Sequence, residues 1–417
     1  MRAAARAYLL APFLIALFAL PVLAASVEGP AQPSAVEVQA HGARGDGVAD
    51  DTDAFRKALR EGARLRLPVH VGPGRYRLTA TLDLENVTLT GDAAGAWAAD
   101  VCPLPVLLPA HSSGPLLRLR AGGAVSGVQI VYGPSEAERK VAAPAIELAG
   151  VGVRVSACRI QGAWSAIAWD GKSNTGRAQL HDLLIVDAHH EGVSIGGSWD
   201  AAQLRNVHVW SPGSKSFATE GVGFRLLKND ALRLTDCFVY NAQTGYLFQE
   251  TRDGEHAGVT WGSLTNCQAD YCSVDLDVRG AHIVTITGGT YWSHFGALKV
   301  SGDGAQVMVT GTDLGANGAP AVEIAGGETV TIVGSQVRRL MEKFSAPAVR
   351  IIGGRSVALT GNVIRARDAA LRVEPGVRAV VATGNVLESQ ARRAVEAVGR
   401  IRPAWVLGPN ATAPKAL

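Results

Sequence analysis

The sequence has few aromatic residues and little net charge. Of its 417 residues, 6% are aromatic and 18% are charged, and the formal net charge is +3. A composition so low in charge is not that of a protein built from long charged helices. The near balance of acidic and basic residues also argues against a surface that binds nucleic acid. We therefore expect no nucleic-acid partner.

Cysteine is scarce as well, and its pattern excludes the usual cysteine-based frameworks. The chain has five cysteines, an odd number, and their spacing matches neither a disulfide framework nor a zinc site. They are Cys102, Cys158, Cys237, Cys267 and Cys272.

Long apolar runs are absent outside the N-terminus. Arg2 and Arg6 precede an apolar stretch from Ala7 to Leu20, and small residues follow up to Ala24. This pattern predicts a signal peptide over residues 1–24, with an uncleaved membrane anchor as the alternative. We therefore expect a secreted or periplasmic protein with no membrane span once the signal is removed.

Glycine is abundant, with 48 residues, and the chain repeats itself from about Val87 onward. Blocks of about 22 residues begin at Ala281, Ala305 and Arg355, each with two alternating apolar runs and a glycine corner. Such a unit cannot bury its apolar face alone, so its strands must stack on the next coil, about 4.8 Å away. The leucine-rich repeat is the main rival, but its Leu-x-Leu-x-x-Asn signature is missing. The repeat predicts an all-β protein, a parallel β-helix of about 10–12 coils over residues 36–400.

Aligning the repeats also accounts for three of the cysteines. Cys158, Cys237 and Cys267 fall at one repeat position, together with Leu183 and Val207. Small or apolar residues at one position of every coil are typical of the core, so we interpret these cysteines as packing residues.

The two ends of the repeat region differ. Acidic residues from Asp50 to Asp53 precede a helical apolar pattern, which predicts a helix over residues 51–62 that caps the open N-terminal end of the stack. Residues 401–417 are rich in proline and alanine, and we expect a loose tail.

One segment carries a family resemblance. The stretch HGARGDGVADDTDAFRKAL, from His41 to Leu59, resembles the opening of the pectate-lyase-like superfamily, and the sequence from Val69 to Asp92 continues the likeness. That superfamily includes phage tailspike depolymerases and the family 28 glycoside hydrolases (polygalacturonases). The resemblance implies a right-handed parallel β-helix and polysaccharide chemistry. It does not imply one reaction, because lyases, hydrolases and epimerases share the scaffold.

A second likeness concerns the hydrolase site. The segment from His190 to Gly196 is similar to the polygalacturonase Gly-His-Gly segment, and Gly223 to Lys228 is similar to that family's Gly-x-Arg-x-Lys strand. However, the family's catalytic histidine position falls on Glu191, and its aspartate positions hold no carboxylate. The polygalacturonase site is therefore not reproduced.

Tryptophan and histidine are concentrated in the middle of the chain. Six of the eight Trp and seven of the ten His lie between positions 160 and 300. Aromatic rings stack on the apolar faces of sugars, so this concentration favours a sugar-binding groove. One predicted outward column is Val186, Trp210, Tyr240, Asp270 and Trp292; a second is Ser194, Arg225, Leu247, Asp275 and Lys299. We expect both columns to border one groove, with six substrate-binding candidates: Trp210, Tyr240, Asn241, Tyr271, Trp292 and His294.

The same region holds candidate catalytic groups, namely His190, Glu191, Arg225, Asp270, Asp275 and Lys299. Hydrolysis needs two carboxyl groups about 5–9 Å apart, which Glu191 with Glu220, or Asp270 with Asp275, could supply. Elimination needs a base and cations beside a uronic carboxylate. The groups that could supply them are His190, Tyr271, Arg225 and Lys299.

No cofactor is indicated, although calcium held by Asp270, Asp275 and Asp277 is conceivable from the clustered carboxylates. The sequence predicts an exported protein that binds a polysaccharide and cleaves it, as a lyase or a glycoside hydrolase. The alternative is a non-catalytic protein that binds a polysaccharide or takes part in assembling or modifying an exopolysaccharide. An epimerase has little support, because the chain has no Asp-Pro-His-Asp segment.

Overall fold

The computed structural model describes residues 34–92, 105–133, 143–252, 254–341, 345–391 and 393–414. Its strands are arranged in three parallel columns, which we call face 1, face 2 and face 3. In a full coil the chain passes from face 1 to face 2 to face 3 and then rises to the next coil. The predicted signal peptide, residues 1–24, lies outside the described residues.

Face 1 and face 2 together form one sheet of 28 strands, because two long strands, Gln179–Val186 and Gln203–Trp210, run through both faces. The other strands of face 1 are Val36–Glu37, Val69–Val71, Thr88–Gly91, Ala124–Ser126, Arg154–Ser156, Asn229–Thr235, Thr260–Thr265, Ile283–Thr287, Gln306–Thr310, Thr329–Val333, Ser356–Thr360, Ala379–Thr383 and Trp405–Val406. The other strands of face 2 are Asp46–Asp50, Arg75–Leu78, Val106–Pro109, Gln129–Val131, Arg159–Gln161, Phe238–Tyr240, Gln268–Asp270, Thr290–Ser293, Asp313–Ala316, Gln336–Arg339, Val363–Ala366, Val386–Ser389 and Ala411–Pro414.

Within the described residues, face 3 is a separate sheet of 13 strands, one more than the upper end of the predicted number of coils. Its strands are Leu82–Leu84, Leu117–Leu119, Ile146–Leu148, Ser165–Trp169, Glu191–Ile195, Val222–Leu226, Thr244–Gln249, Val274–Arg279, Leu298–Val300, Val322–Ile324, Val349–Ile351, Leu371–Val373 and Val395–Ala397.

The corner between face 1 and face 2 is made by one residue in the left-handed conformation. Asn206 and Asn266 have φ of 51°, and Gly288 has φ of 66°. Glycine and asparagine tolerate this conformation better than other residues do. The glycine corner that marks each repeat in the sequence is therefore a backbone requirement of the turn.

The residue after this corner points into the core. Cys158, Cys237 and Cys267 lie there as free, buried thiols, stacked in one column with Leu183 and Val207. The packing role predicted for these cysteines matches their position.

In the last coils the same column is polar. Asn385 Oδ1 accepts from the backbone N of Asn362 at 3.0 Å, and Asn385 Nδ2 donates to the carbonyl oxygen of Leu359 at 2.9 Å. Asn385 Nδ2 also donates to Asn410 Oδ1 at 2.9 Å. These bonds satisfy polar groups that the core would otherwise leave unpaired.

A helix covers the N-terminal end of the stack, as predicted. Helix α1, Thr52–Leu65, begins after Asp51 and buries Phe55, Ala58 and Leu59. A second helix, α2, Lys215–Glu220, lies in the turn between face 2 and face 3 and is capped by Ser214. In the described ranges, no helix has both the length and the apolar character that a membrane crossing requires.

The C-terminal end differs from the loose tail expected over residues 401–417. Val380 pairs with Trp405, and Val386 pairs with Ala411, so this segment adds a further rung to face 1 and face 2. Trp405 is buried, and its burial against the last coil explains why a proline- and alanine-rich segment is ordered there.

Candidate functional site

The aromatic column predicted on face 2 is present in the structure. Val186 pairs with Trp210, Trp210 with Tyr240, Tyr240 with Asp270, and Asp270 with Trp292. Trp210 is 46% exposed and Trp292 is 39% exposed. We call Trp210, Tyr240, Tyr271, Trp292 and His294 the aromatic stripe. It runs over four successive coils, about 14 Å from first to last at the spacing of adjacent strands.

Tyr271 is held in an unusual conformation within this stripe. It begins the turn from face 2 to face 3 with φ of 61°, where Asp187 and Asn241 occupy the equivalent positions of earlier coils. The left-handed conformation costs a bulky residue about 1–2 kcal/mol. The Tyr271 ring stacks on Tyr240 at 5.7 Å and meets His294 edge-on at 4.5 Å. A strained, exposed aromatic residue motivates a functional hypothesis for this corner.

Asn241, a predicted substrate ligand, has a structural role in the same corner. Its Nδ2 donates to the carbonyl oxygen of Ser211 at 2.8 Å. That bond joins two coils. The side-chain oxygen Oδ1 of Asn241 is then the group that could contact a substrate.

The row predicted on face 3 is correct except at one position. Arg225 pairs with Leu247, Leu247 with Asp277, and Asp277 with Lys299. The sequence alignment had placed Asp275 where Asp277 lies. The alignment assumed strict alternation along the strand, but the successive residues Asp275 and Leu276 are both fully buried, so the alternation breaks at the start of this strand.

Asp275 lies in the core instead of on the surface. Its column in the neighbouring coils contains only small residues, and its side chain is fully buried. Those residues are Ala166, Gly192, Gly223, Gly245, Ala297 and Ala321. Burial raises the pKa of the Asp275 carboxyl well above its usual 3.8, and the charge of Asp270 raises it further. The predicted hydrolytic pair of Asp270 with Asp275 is therefore wrong, because no substrate reaches Asp275.

The predicted calcium ligands do not converge either. Asp275 points into the core, whereas Asp277 Oδ2 is 2.6 Å from Arg279 Nη2 on the surface. Across the described ranges, no three His, Cys, Asp or Glu side chains are arranged to hold a metal ion.

Arg225 and Glu191 form the centre of the face 3 row. Arg225 Nε donates to Glu191 Oε1 at 2.6 Å, and Arg225 Nη1 donates to Gln249 Oε1 at 2.7 Å. Both charged side chains are largely buried, with 21% of Arg225 and 13% of Glu191 exposed. Oε1 of Glu191 is thus already engaged by Arg225 within this chain.

His190 is the group best placed to accept a proton beside this pair. Its ring stacks on Trp164 at 5.6 Å with an interplanar angle of 3°, and its Nδ1 lies 3.9 Å from Glu191 Oε1. The side chain of His190 is 39% exposed. Trp164, which the sequence did not assign to the site, therefore orients the imidazole.

A cleft of about 850 Å³ lies on the other edge of face 3, where the chain turns towards face 1. Gln249, Glu250, Arg279 and Asp303 are among its lining residues. Gln249 joins the cleft to Arg225. The surface that could hold an extended ligand thus runs from the aromatic stripe across face 3 to this cleft, which the sequence did not predict.

Several other Trp and His residues lie away from this surface. Trp261 lies on face 1, and Trp199 Nε1 donates to His256 Nδ1 at 2.8 Å at the turn from face 3 to face 1. The concentration of these residue types in the sequence therefore marks the middle of the stack, but not one groove.

Comparisons with known proteins agree with the resemblance noted in the sequence. Residues 35–99 match the family model "Rhamnogalacturonase A/epimerase, pectate lyase-like". The fold is a parallel β-helix. A comparison with curated proteins gave no match.

Several solved structures are similar to this chain. The A-module of a mannuronan C-5 epimerase from Azotobacter vinelandii has a TM-score of 0.60 and 16% identity, covering 91% of this chain and 100% of that one. The catalytic unit of an α-1,3-glucanase from Streptomyces thermodiastaticus has a TM-score of 0.55 and 16% identity, covering 92% of this chain and 69% of that one. A tailspike protein mutant of E. coli bacteriophage HK620, in complex with a pentasaccharide, has a TM-score of 0.59 and 12% identity, covering 86% and 72%. At these identities the likeness establishes the fold.

Proposed function

We propose that this is an exported protein that binds a polysaccharide across face 3 and cleaves it. The observation that carries the proposal is the aromatic stripe, in which exposed rings recur on successive coils beside a row of polar and charged groups. Rings spaced at about the distance between coils can stack on successive units of an extended sugar chain, while the polar row meets its hydroxyl and carboxylate groups.

Elimination is the better supported of the two cleavage reactions. Arg225 and Lys299 could neutralise the carboxylate of a uronic acid, which makes the neighbouring carbon more acidic. His190 or Tyr271 could then accept the proton from that carbon while the C–O bond to the departing sugar breaks and a C=C bond forms. The departing oxygen takes up a proton from the same side chain or from water. Hydrolysis has less support, because Asp275 is buried and Glu191 is paired with Arg225.

Two further considerations support a polysaccharide substrate and export. The similar structures include an epimerase of mannuronan, an α-1,3-glucanase and a tailspike protein in complex with a pentasaccharide. Residues 1–24 read as a signal peptide, so we infer that the protein acts in the periplasm or outside the cell.

A non-catalytic polysaccharide-binding or assembly protein is the second candidate. It is favoured by the close pairing of Glu191 with Arg225, which leaves no open pair of carboxyl groups on the face 3 row.

The experiment that separates these functions incubates the purified protein with a panel of acidic and neutral polysaccharides. Ultraviolet absorbance reports the unsaturated ends made by elimination, and a reducing-end assay reports any cleavage. We expect absorbance to rise with an acidic polysaccharide. New reducing ends without absorbance would indicate a hydrolase, and binding without either signal would indicate the second candidate.

A further inference from the structure

Seven successive strands of face 1 contain no charged residue. They begin with Thr260–Thr265 and end with Trp405–Val406, and none contains Asp, Glu, Lys or Arg. The strands just before this region differ, because Arg154, Arg205 and Arg233 lie there. We call the seven-strand region the neutral face.

Face 3 of the same coils carries charged residues, in contrast to the neutral face. There, an outward position is charged in every coil, as Asp277, Lys299, Glu323, Arg350, Arg372 and Glu396. Solubility alone would favour charge on all exposed faces. The absence of charge is therefore specific to one side of the stack.

The neutral face is also regular. Its last outward position in each full strand, next to the corner, is Thr265, Thr287, Thr310, Val333, Thr360 or Thr383. Glycine forms the corner beside five of these six residues. Because glycine has no side chain, little projects past this edge of the sheet. Large apolar residues are exposed between the threonines, with Ile283 at 48%, Met308 at 47% and Val381 at 40%.

We propose that the neutral face is the surface through which two copies of this chain associate. Depletion of charge is the compositional mark of an interface core. A partner that carries charges would bury them unpaired against this surface, whereas a second neutral face meets it without that cost. Threonine hydroxyls donate and accept, so the threonines of two copies can bond to one another across a twofold axis.

The area of the neutral face determines how tightly two copies are expected to bind. Seven strands and three outward positions per strand cover about 600 Å² on each copy, at the lower end of interfaces that hold two chains together. A sugar chain is the less suitable occupant, because Trp261 is the only aromatic residue that points outward from these strands, and its Nε1 donates to Asp230 of this chain. We therefore expect a weak dimer with Kd of about micromolar order.

Sedimentation velocity over a concentration series of the full protein tests the proposal. The wild type should pass from monomer to dimer as its concentration rises. Thr331→Lys and Met308→Lys each place a charge at the centre of the neutral face and should weaken dimerisation at least about tenfold. Gln203→Lys adds the same charge to an exposed position of face 1 outside the neutral face and should leave dimerisation unchanged.

The thermal midpoint of each variant is measured alongside, and a variant whose midpoint falls is replaced by Thr310→Lys. A wild type that stays monomeric at all concentrations overturns the proposal. So does a dimer that Thr331→Lys and Met308→Lys leave intact. Binding of a neutral polysaccharide that these variants abolish, without any dimer, would assign the surface to a glycan instead.

Discussion

Arg225 Nε donates to Oε1 of Glu191 in the preceding coil at 2.6 Å, and Arg225 Nη1 donates to Oε1 of Gln249 in the following coil at 2.7 Å. One side chain thereby links three coils of face 3 at the centre of the candidate site. Its guanidinium is held in place before any substrate arrives, which is the condition for an effective contact with a carboxylate.

We expect the Arg225–Glu191 pair to be energetically coupled. Arg225→Ala should lower the free energy of unfolding by about 1–3 kcal/mol, because it leaves a largely buried carboxylate without its partner. In a double-mutant cycle with Glu191→Gln, the combined loss should be smaller than the sum of the single losses by about 1 kcal/mol. Lys299→Ala serves as a control with little effect. Strict additivity would mean that the pair contributes nothing to stability.

Asp275 should make stability depend on pH. Its folded pKa is raised above the unfolded value near 3.8, so the stability that depends on its protonation is complete below that value and is lost as pH rises towards the folded pKa. Asp275→Asn keeps the shape of the neutral acid and should raise the thermal midpoint at about pH 7 but not at about pH 4. The exposed Asp303→Asn is the matched control. A variant that is less stable than the wild type at neutral pH would refute the assignment.

Tyr271 should contribute more to binding than to stability. Tyr271→Asn relieves a left-handed conformation that costs about 1–2 kcal/mol but removes two ring contacts of about 0.5–1.5 kcal/mol each, so the thermal midpoint should change little. Affinity for the polysaccharide should fall, because the exposed ring is lost. Isothermal titration of both proteins checks this, and Tyr271→Phe should retain most of the affinity. A large loss of stability with unchanged affinity would make Tyr271 a structural residue.

The asparagine column should stabilise the C-terminal coils. Asn385→Ala removes buried bonds to Asn362, Leu359 and Asn410, and should cost about 2–4 kcal/mol of unfolding free energy. Thr360→Ala, an exposed change in the neighbouring coil, should stay within about 0.5 kcal/mol. Denaturant unfolding measures the unfolding free energy of both variants. Equal losses would show that the buried asparagine contributes no more stability than the exposed threonine does.

The sequence predicted the fold and the row of aromatic residues on face 2. Trp210, Tyr240 and Trp292 could be aligned because each lies at the same distance after a left-handed corner, and the corner residues are Asn206, Asp236 and Gly288. Asp275 was misplaced, because Asp275 and Leu276 are both buried and strict alternation therefore fails at the start of this strand. The small residues of its column were a usable signal, because a carboxylate among glycines and alanines is the exception there.

The side-chain contacts within the candidate site could not be predicted from the sequence, for a different reason. The stacking of His190 on Trp164 and the bond from Arg225 to Gln249 depend on side-chain rotamers across neighbouring coils. The repeat period fixes which residues are neighbours, but not which of them make contact.

Binding of the polysaccharide by tryptophan variants tests the central claim most directly. Trp210→Ala and Trp292→Ala should each weaken binding about tenfold, because each removes an exposed ring of the aromatic stripe. Trp261→Ala removes a ring of similar exposure, 48%, from face 1 and should bind like the wild type. Equal losses in all three variants, or no loss in Trp210→Ala and Trp292→Ala, would contradict a binding surface on this side of the β-helix.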